Sequence, residues 1–434
     1  MTLLILLSLP TLAFTVDKKT DAISKSDDKT LPAPAPVCNA SPTWLSPTNK
    51  PPTEIGNGIP VGQETNCQFY QFAWQWYLSL LQPAASGTGD RVFETFNLLQ
   101  PNQSNQCSQA KLTGKKNLSK AIFARTSKQT TASFNPVLPE DIEQATQQVL
   151  YDQAGNIVLY NVWYNDIECQ ATSQGFLPNT IEIKTSWRML GKADPSYYTI
   201  TATVPAVSKQ PLTLGLVGFH LVINTANHPE FVWATFEHNN NALNCTNPQA
   251  SPAGNWSFTS AACAACLATQ TLAQCNAPPT SCNFNTGINS QSLTGTPNQV
   301  CRVYPDDTDP GSMTNGNNND TNRGNVDLLN SQLVGPKGML ATLPASNPLS
   351  VFKNYFLVGG LWTNGGVASN TPNEQRGSLE LANTTMETFA QQAQTNCFSC
   401  HQYTTATPLK VSHIISNLIT TGNASPKNRA DKPK

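Results

Sequence analysis

The chain has 434 residues, a formal net charge of −1 and only 12% charged residues. This length is enough for two or three domains with a large buried core. The sequence contains no basic stripe and therefore does not predict a partner that is a nucleic acid.

The first residues indicate export from the cytoplasm. A short apolar run from Leu3 to Leu9 is followed by Pro10 and small residues, which predicts a signal peptide over residues 1–15. This run is too short to cross a bilayer, and no later apolar stretch reaches the required length. Twelve cysteines also fit an oxidising compartment. We therefore expect a periplasmic or secreted protein without a membrane span.

Residues 16–64 are rich in proline and charged or small polar residues, which predicts a disordered linker. Ordered structure is expected from Cys67. A helix is predicted over residues 69–81, because Phe72, Trp76 and Leu80 recur at helical spacing before Pro83 ends the pattern.

Residues 147–240 change to the alternating pattern of β-strands. Strands are predicted over 149–151, 157–160, 180–190, 197–207, 212–224 and 231–238. The turn Asp152–Asn156 joins the first two as a hairpin. The predicted fold class is α+β, with an antiparallel sheet core and flanking helices over residues 65–240.

Residues 241–335 are rich in cysteine and asparagine and are predicted to form a disulfide-stapled loop insertion. Setting aside two cysteines near the C-terminus leaves ten, enough for up to five disulfides. Local disulfides are the main interpretation of the cluster around Cys263 and Cys266, and a zinc knot is the alternative. Residues 336–434 form a C-terminal region in which 378–394 are predicted to be a helix.

That helix leads to the sequence Cys397-Phe-Ser-Cys400-His401, which has the spacing used for covalent haem attachment. Two thiols two residues apart match the vinyl groups of the porphyrin, and the next residue places an imidazole against the iron. The motif predicts one haem c per chain. The alternatives are a structural disulfide, half of a zinc site and a redox-active dithiol.

Several blocks of the chain resemble uncharacterised bacterial proteins grouped as the cytochrome c family. They run from Ile181 to Arg188, Val217 to Val222, His228 to His238 and Leu381 to Phe389, and the likeness extends from about residue 67 to His401. The resemblance implies an exported haem protein in which Cys397, Cys400 and His401 hold the cofactor. It suggests importance for the other blocks without giving them a role.

The chain differs from a small cytochrome c, in which a methionine well downstream of the motif completes the iron coordination. Thirty-three residues follow His401 and none is methionine. The haem must therefore pack against upstream structure, an arrangement that resembles cytochromes c-prime. Candidate distal ligands are His413, which could fold back, and Met386, which would need a bend in the chain.

A second group of candidate residues lies in the predicted sheet: His220, His228, Glu230, Glu237 and His238. One interpretation is a second metal site or an acid/base group that faces the haem. The favoured interpretation is structural, with His228 capping a turn and Glu237 pairing with Lys184 or Arg188 across the sheet.

The sequence therefore predicts a monohaem c-type protein that exchanges electrons with an unidentified partner protein. One alternative is a haem enzyme with an open distal site that acts on peroxide, NO or O₂, with His238 or Glu237 as the acid/base. The other is a disulfide-rich module that binds a ligand outside the cytoplasm.

Overall fold

The structure is a computed structural model that describes residues 38–57, 59–85, 89–99, 105–107, 123–124, 148–202, 208, 210–287, 294–305, 322–393 and 396–419. The predicted signal peptide, residues 1–15, and residues 16–37 of the predicted linker lie outside the described residues.

A nine-stranded antiparallel sheet forms the centre of the fold, which confirms the predicted sheet core. The strands are β1 Asn97–Leu98, β2 Phe123–Ala124, β3 Leu159–Tyr164, β4 Ile181–Leu190, β5 Thr199–Ala202, β6 Leu212–Ile223, β7 Val232–His238, β8 Leu243–Asn244, β9 Cys301–Arg302, β10 Tyr355–Thr363 and β11 Gln375–Gly377. The sheet order is β1-β3-β4-β6-β7-β10-β11, with β2 on β3 and β5 on β6, whereas β8 and β9 form a separate parallel pair.

The predicted turn between residues 152 and 156 is present and has a clear physical cause. The Asp152 amide donates to the Asn156 carbonyl (2.9 Å), and the Asp152 carboxylate accepts from the amides of Ala154 and Asn156. Such side-chain bonds to nearby backbone favour a turn. The strand predicted over 197–207 is shorter, because β5 ends at Ala202 and residues 203–207 lie outside the described residues.

The helices are α1 Asn66–Leu80, α2 Ala261–Leu267, α3 Leu272–Asn276, α4 Asn322–Leu333 and α5 Ile415–Leu418. The first helix begins three residues before its predicted start, because Thr65 and Gln68 form a capping box ahead of the apolar pattern. It packs on one face of the sheet, where Tyr77 stacks on Phe236 with ring centroids 3.7 Å apart.

The prediction of a linker up to residue 64 is wrong for the described residues from Cys38 onwards. Cys38, Trp44 and Ile55 are buried in the same core as α1, and Cys38 is disulfide-bonded to Cys67. The sequence did not indicate these three buried residues, because they are far apart in a proline-rich segment and form no periodic apolar pattern.

The segment from Ser378 to Ala393 covers the second face of the sheet, and its predicted helix is wrong. It forms turns, because backbone amides that a helix would use donate to side chains instead. The Asn383 amide donates to Glu387 (2.9 Å), and the Thr384 amide donates to Glu237 of β7 (2.7 Å).

Five disulfides join ten of the twelve cysteines, as predicted: Cys38–Cys67, Cys107–Cys169, Cys245–Cys301, Cys263–Cys282 and Cys266–Cys275. Because Cys263 and Cys266 each have a disulfide partner, the zinc alternative for that cluster is wrong.

The predicted regions 65–240, 241–335 and 336–434 do not form separate parts of the fold. Helix α4 lies within the predicted 241–335 insertion but packs in the main core through Val326, Leu329 and Leu333. Strand β10, from the C-terminal region, pairs with β7 of the predicted 65–240 core.

The disulfides close chain segments of very different length, which predicts unequal effects on stability. Cys245–Cys301 spans 56 residues and Cys266–Cys275 spans 9. Loop-closure entropy then predicts that C245S/C301S lowers the free energy of unfolding by about 4 kcal/mol and C266S/C275S by about 2.5 kcal/mol. Urea unfolding of the two variants measures the difference, and equal losses would show that loop length is not the source of the stabilisation.

Candidate functional site

The CxxCH motif is held on the second face of the sheet by one short turn. Residues Cys397–Ser399 form a 3₁₀ turn, and the Asn396 side chain accepts from the Phe398 amide (3.1 Å). Phe398 is buried against Trp233 of β7, which anchors the turn to the sheet. Cys397 is therefore half-buried, whereas Cys400 is exposed.

Cys397 and Cys400 are the two cysteines of the chain that are not in a disulfide. Burial raises the pKa of the Cys397 thiol, and the nearby Glu387 raises it further. Cys400 is more exposed, but its partial burial, followed by the nearby Glu387, also raises the pKa of its thiol. Both groups are therefore protonated thiols near neutral pH, unlike the thiolates of reactive dithiol centres.

His401 follows this turn with one ring nitrogen already engaged. Its Nδ1 lies 2.8 Å from the Val411 carbonyl oxygen, which can only accept a hydrogen bond, so Nδ1 carries the proton. Burial, followed by the nearby His413, holds the pKa of His401 well below its usual value. The ring is therefore neutral with its lone pair on Nε2, which is the form that ligates a metal.

Two aromatic rings pack on His401. The His413 ring stacks on it with centroids 3.9 Å apart and an interplanar angle of 16°, and the Trp233 ring lies 4.5 Å away at 48°. These contacts and the bond to Val411 fix the plane of the imidazole.

The structure brings only one of the two predicted distal ligands to His401. His413 contacts it directly, whereas Met386 is fully buried in an apolar cluster with Val217 and Ile414. Phe398 and Val411, on either side of His401, belong to a different cluster.

The predicted histidine and glutamate group is not assembled into one site. His228 lies in the turn before β7, His238 is the last residue of β7, and His220 bonds to Glu387 through Nε2 (3.0 Å). The described residues contain no group of three or more His, Cys, Asp or Glu side chains arranged to hold a metal ion.

Glu237 is a buried structural residue, as the favoured interpretation predicted, but its partner is different. It pairs with Arg302 of β9 (2.7 Å) and accepts from the Thr384 hydroxyl (2.6 Å). Arg188 instead pairs with Asp152 (3.1 Å). These contacts leave Glu237 poorly placed to exchange a proton with a substrate.

His238 is fixed as a neutral ring by two backbone partners. Its Nε2 lies 2.9 Å from the Ser196 carbonyl and its Nδ1 accepts from the Asn240 amide. Burial lowers its pKa to about 4. Neither nitrogen can therefore act as an acid or base without breaking a backbone hydrogen bond.

His228 has the opposite environment, because its ring lies between two carboxylates. Nδ1 is 2.9 Å from Glu230 and Nε2 is 3.7 Å from Glu64. The hydrogen bond to Glu230 and the negative charges of both groups outweigh burial and raise the pKa of His228 to about 9. His228 also caps the turn, as predicted: its amide donates to the Thr225 hydroxyl (3.1 Å) and its carbonyl accepts from the Phe231 amide (3.1 Å).

Two buried carboxyl groups near the motif were missed from the sequence. Glu168 and Glu182 lie beside each other and beside Ser412, and burial together with their mutual contact raises the pKa of Glu168 well above its usual value. The alternation of β4 places Glu182 and Lys184 on the motif side of the sheet, which is the signal that could have indicated them.

A separate open cleft of about 660 Å³ lies beside β5 and is lined by Arg91, Tyr198 and Lys353 among others. None of the three motif residues lines it. The cleft is therefore distinct from the candidate haem site.

The residues of the motif fit covalent haem attachment. In a chain whose other ten cysteines are oxidised, the two thiols at the attachment spacing have no disulfide. The adjacent imidazole is neutral with its second nitrogen held by a carbonyl, which is the common support of a metal-ligating histidine.

Comparisons with protein-family models, curated proteins and solved structures found nothing that matches this chain. Among the helices that the structure describes, none has the length and apolar character to cross a membrane.

The buried pair of Glu237 and Arg302 generates a prediction about stability. Because Glu237→Gln leaves a buried guanidinium without its counter-charge, we expect a loss of about 3–5 kcal/mol in the free energy of unfolding. The double variant E237Q/R302M should recover part of this loss. The exposed pair Arg323–Asp327 is the control, since Asp327→Asn should change stability by less than about 1 kcal/mol. Similar losses in the two single variants would contradict the prediction.

The raised pKa of His228 predicts that stability falls as pH rises. The folded-state pKa is about 9 and the unfolded value is 6.5, so the contribution is complete below pH 6.5 and is lost as pH rises through 9. The shift corresponds to about 3 kcal/mol. The stability difference between wild type and His228→Gln, measured by urea unfolding, should shrink from pH 6 to pH 9.5.

The control is Glu54→Gln. Glu54 bonds to Thr225 and Asn227 of the same turn, and Glu54→Gln leaves His228 and its two carboxylate partners unchanged. Its effect on stability should therefore be the same at both pH values. A His228→Gln effect that is also independent of pH would show that the ring is not protonated in the fold.

Proposed function

We propose that this chain is an exported c-type haem protein that holds one haem covalently through Cys397 and Cys400. His401 is the proximal iron ligand in this proposal, and electron transfer with a partner protein is the function. The observation that carries the proposal is the pair of thiols outside the five disulfides, followed by a neutral imidazole with Nδ1 tied to a carbonyl.

Thioether formation is consistent with the state of both cysteines. Each S–H adds across one vinyl C=C, so that sulfur bonds to one vinyl carbon and hydrogen to the other, with no net oxidation. Because both groups are thiols in an otherwise disulfide-bonded chain, they keep the oxidation state that this addition needs.

When bound, the haem would supply one-electron chemistry. The protein residues then have separate tasks. The Val411 carbonyl holds the Nδ1 proton of His401, which keeps Nε2 available to the iron. Trp233 and Phe398 fill the space between the motif and the sheet, which excludes water from that side.

Export from the cytoplasm is part of the proposal, because five disulfides require an oxidising compartment. The partner would be a redox protein rather than a nucleic acid, since the sequence contains no basic stripe that would bind phosphates.

The experiment is a reduced pyridine haemochrome spectrum of the chain expressed with its leader in a bacterium that has the haem-ligation machinery. We expect a c-type band at one haem per chain that survives acid–acetone extraction. C397S/C400S should lose all covalent haem while remaining folded.

The matched control is C263S/C282S, which disrupts the other Cys-x-x-Cys sequence of the chain, Cys263-Ala-Ala-Cys266. It should retain one haem per chain despite lower stability. Folded wild-type protein without covalent haem would refute the proposal, and so would equal haem loss in the two double variants.

A further inference from the structure

The position of His413 indicates whether it could be the second axial ligand of the proposed haem iron. Its ring lies parallel to that of His401, at 3.9 Å between centroids and 16° between planes. Its Nε2 lies 3.2 Å from the Cys400 carbonyl, which only accepts, so Nε2 is a donor in this bond. His413 thus bonds to the motif turn itself.

Stacked rings cannot be the two axial ligands of one iron. Axial ligands approach the metal from opposite sides of the porphyrin along one line, so two axial imidazoles meet edge to edge with the macrocycle between them. Rings stacked face to face lie side by side instead, on the same side of any porphyrin that His401 ligates through Nε2.

The chain on both sides of His413 is anchored. Val411 and Ser412 precede it and Ile414 and Ile415 follow it, and all four are buried. The Val411 carbonyl also accepts from His401. Movement of His413 to the other side of the haem would therefore require these anchors to leave the core.

Resting on the proposed function, we propose that His413 is a positioning residue on the proximal side, which fixes the imidazole plane of His401 and does not ligate the iron. The segment 411–413 acts on His401 twice, through the carbonyl of the first residue and the ring of the third. The sixth coordination position is then left to something other than His413, and CO is a suitable probe of it.

Three proteins with haem test this: wild type, His413→Phe and His413→Ala. Phenylalanine keeps an aromatic ring that can stack but has no ligand nitrogen, and alanine removes both. The control is Ser416→Ala, at an exposed position of helix α5, which follows His413. The readouts are haem per chain, the CO association rate of the ferrous protein and the Fe–His stretching band after CO photolysis.

We expect one haem per chain in all four proteins. CO association should agree within about twofold among them, because CO does not displace His413 in any of them. The Fe–His band should keep its frequency and width in His413→Phe and Ser416→Ala, whereas it should shift or broaden in His413→Ala because the imidazole plane is no longer fixed.

Two results would overturn the inference. If His413 were the distal ligand, both of its variants would bind CO at least about tenfold faster, since the competing nitrogen is gone. An unchanged Fe–His band in His413→Ala would show that stacking does not position the ring.

A measurement without haem separates this inference from the proposed function. In the C397S/C400S background, modification of His401 by diethyl pyrocarbonate, followed by peptide mass spectrometry, should be several-fold faster with His413→Ala than with His413→Phe. Equal rates would overturn the stacking role whether or not wild type carries haem, whereas missing haem in wild type alone would refute the proposed function.

Discussion

The Glu237 carboxylate of β7 links three parts of the fold that are distant in sequence. One oxygen accepts from Arg302 of β9 and from the Thr384 hydroxyl, and the other accepts from the Thr384 amide. A buried carboxylate without such partners would be strongly unfavourable, so each of them must remain in place for the strand to stay buried. The Cys-rich insertion and the segment that leads to the motif are therefore held to the sheet by the same group.

This constraint explains how the motif obtains its surroundings. Both faces of the central sheet are buried, one under α1 and α4 and the other under residues 378–393 and 396–418. The residues that cover the second face include both the motif and the segment 411–413. Trp233 of β7 therefore contacts His401 from the sheet, whereas Val411 and His413 contact it from the covering segment itself. Hydrogen bonds from Asn383 and Thr384 to β7 fix the beginning of the covering segment, and the buried Phe398 side chain fixes the motif turn.

Strands β3 to β7, α1 and the number of disulfides could be predicted because their signals are local: alternation, apolar spacing and an even cysteine count. The other six strands were not predicted. The turns from Ser378 to Ala393 could not, because their apolar spacing is helical and the bonds that overrule it reach to Thr235 and Glu237 more than a hundred residues away. The same holds for the site. The motif residues were evident from spacing, but the stacking of His413 and the carboxyl pair of Glu168 and Glu182 depend on how the C-terminal segment lies across the sheet.

The five histidines show why residue type alone does not indicate a metal ligand. His228 lies between carboxylates that favour its charged form, and His238 has both nitrogens bound to backbone groups. His220 bonds to Glu387 through Nε2, and His413 donates its Nε2 proton to the Cys400 carbonyl. His401 differs in that a carbonyl fixes the proton on Nδ1 while burial keeps the ring neutral, so its lone pair is directed through Nε2. The two thiols outside the disulfides lie at the turn just before this ring, so a single turn presents two thiols and one nitrogen ligand together, which is the arrangement that the proposed covalent haem requires.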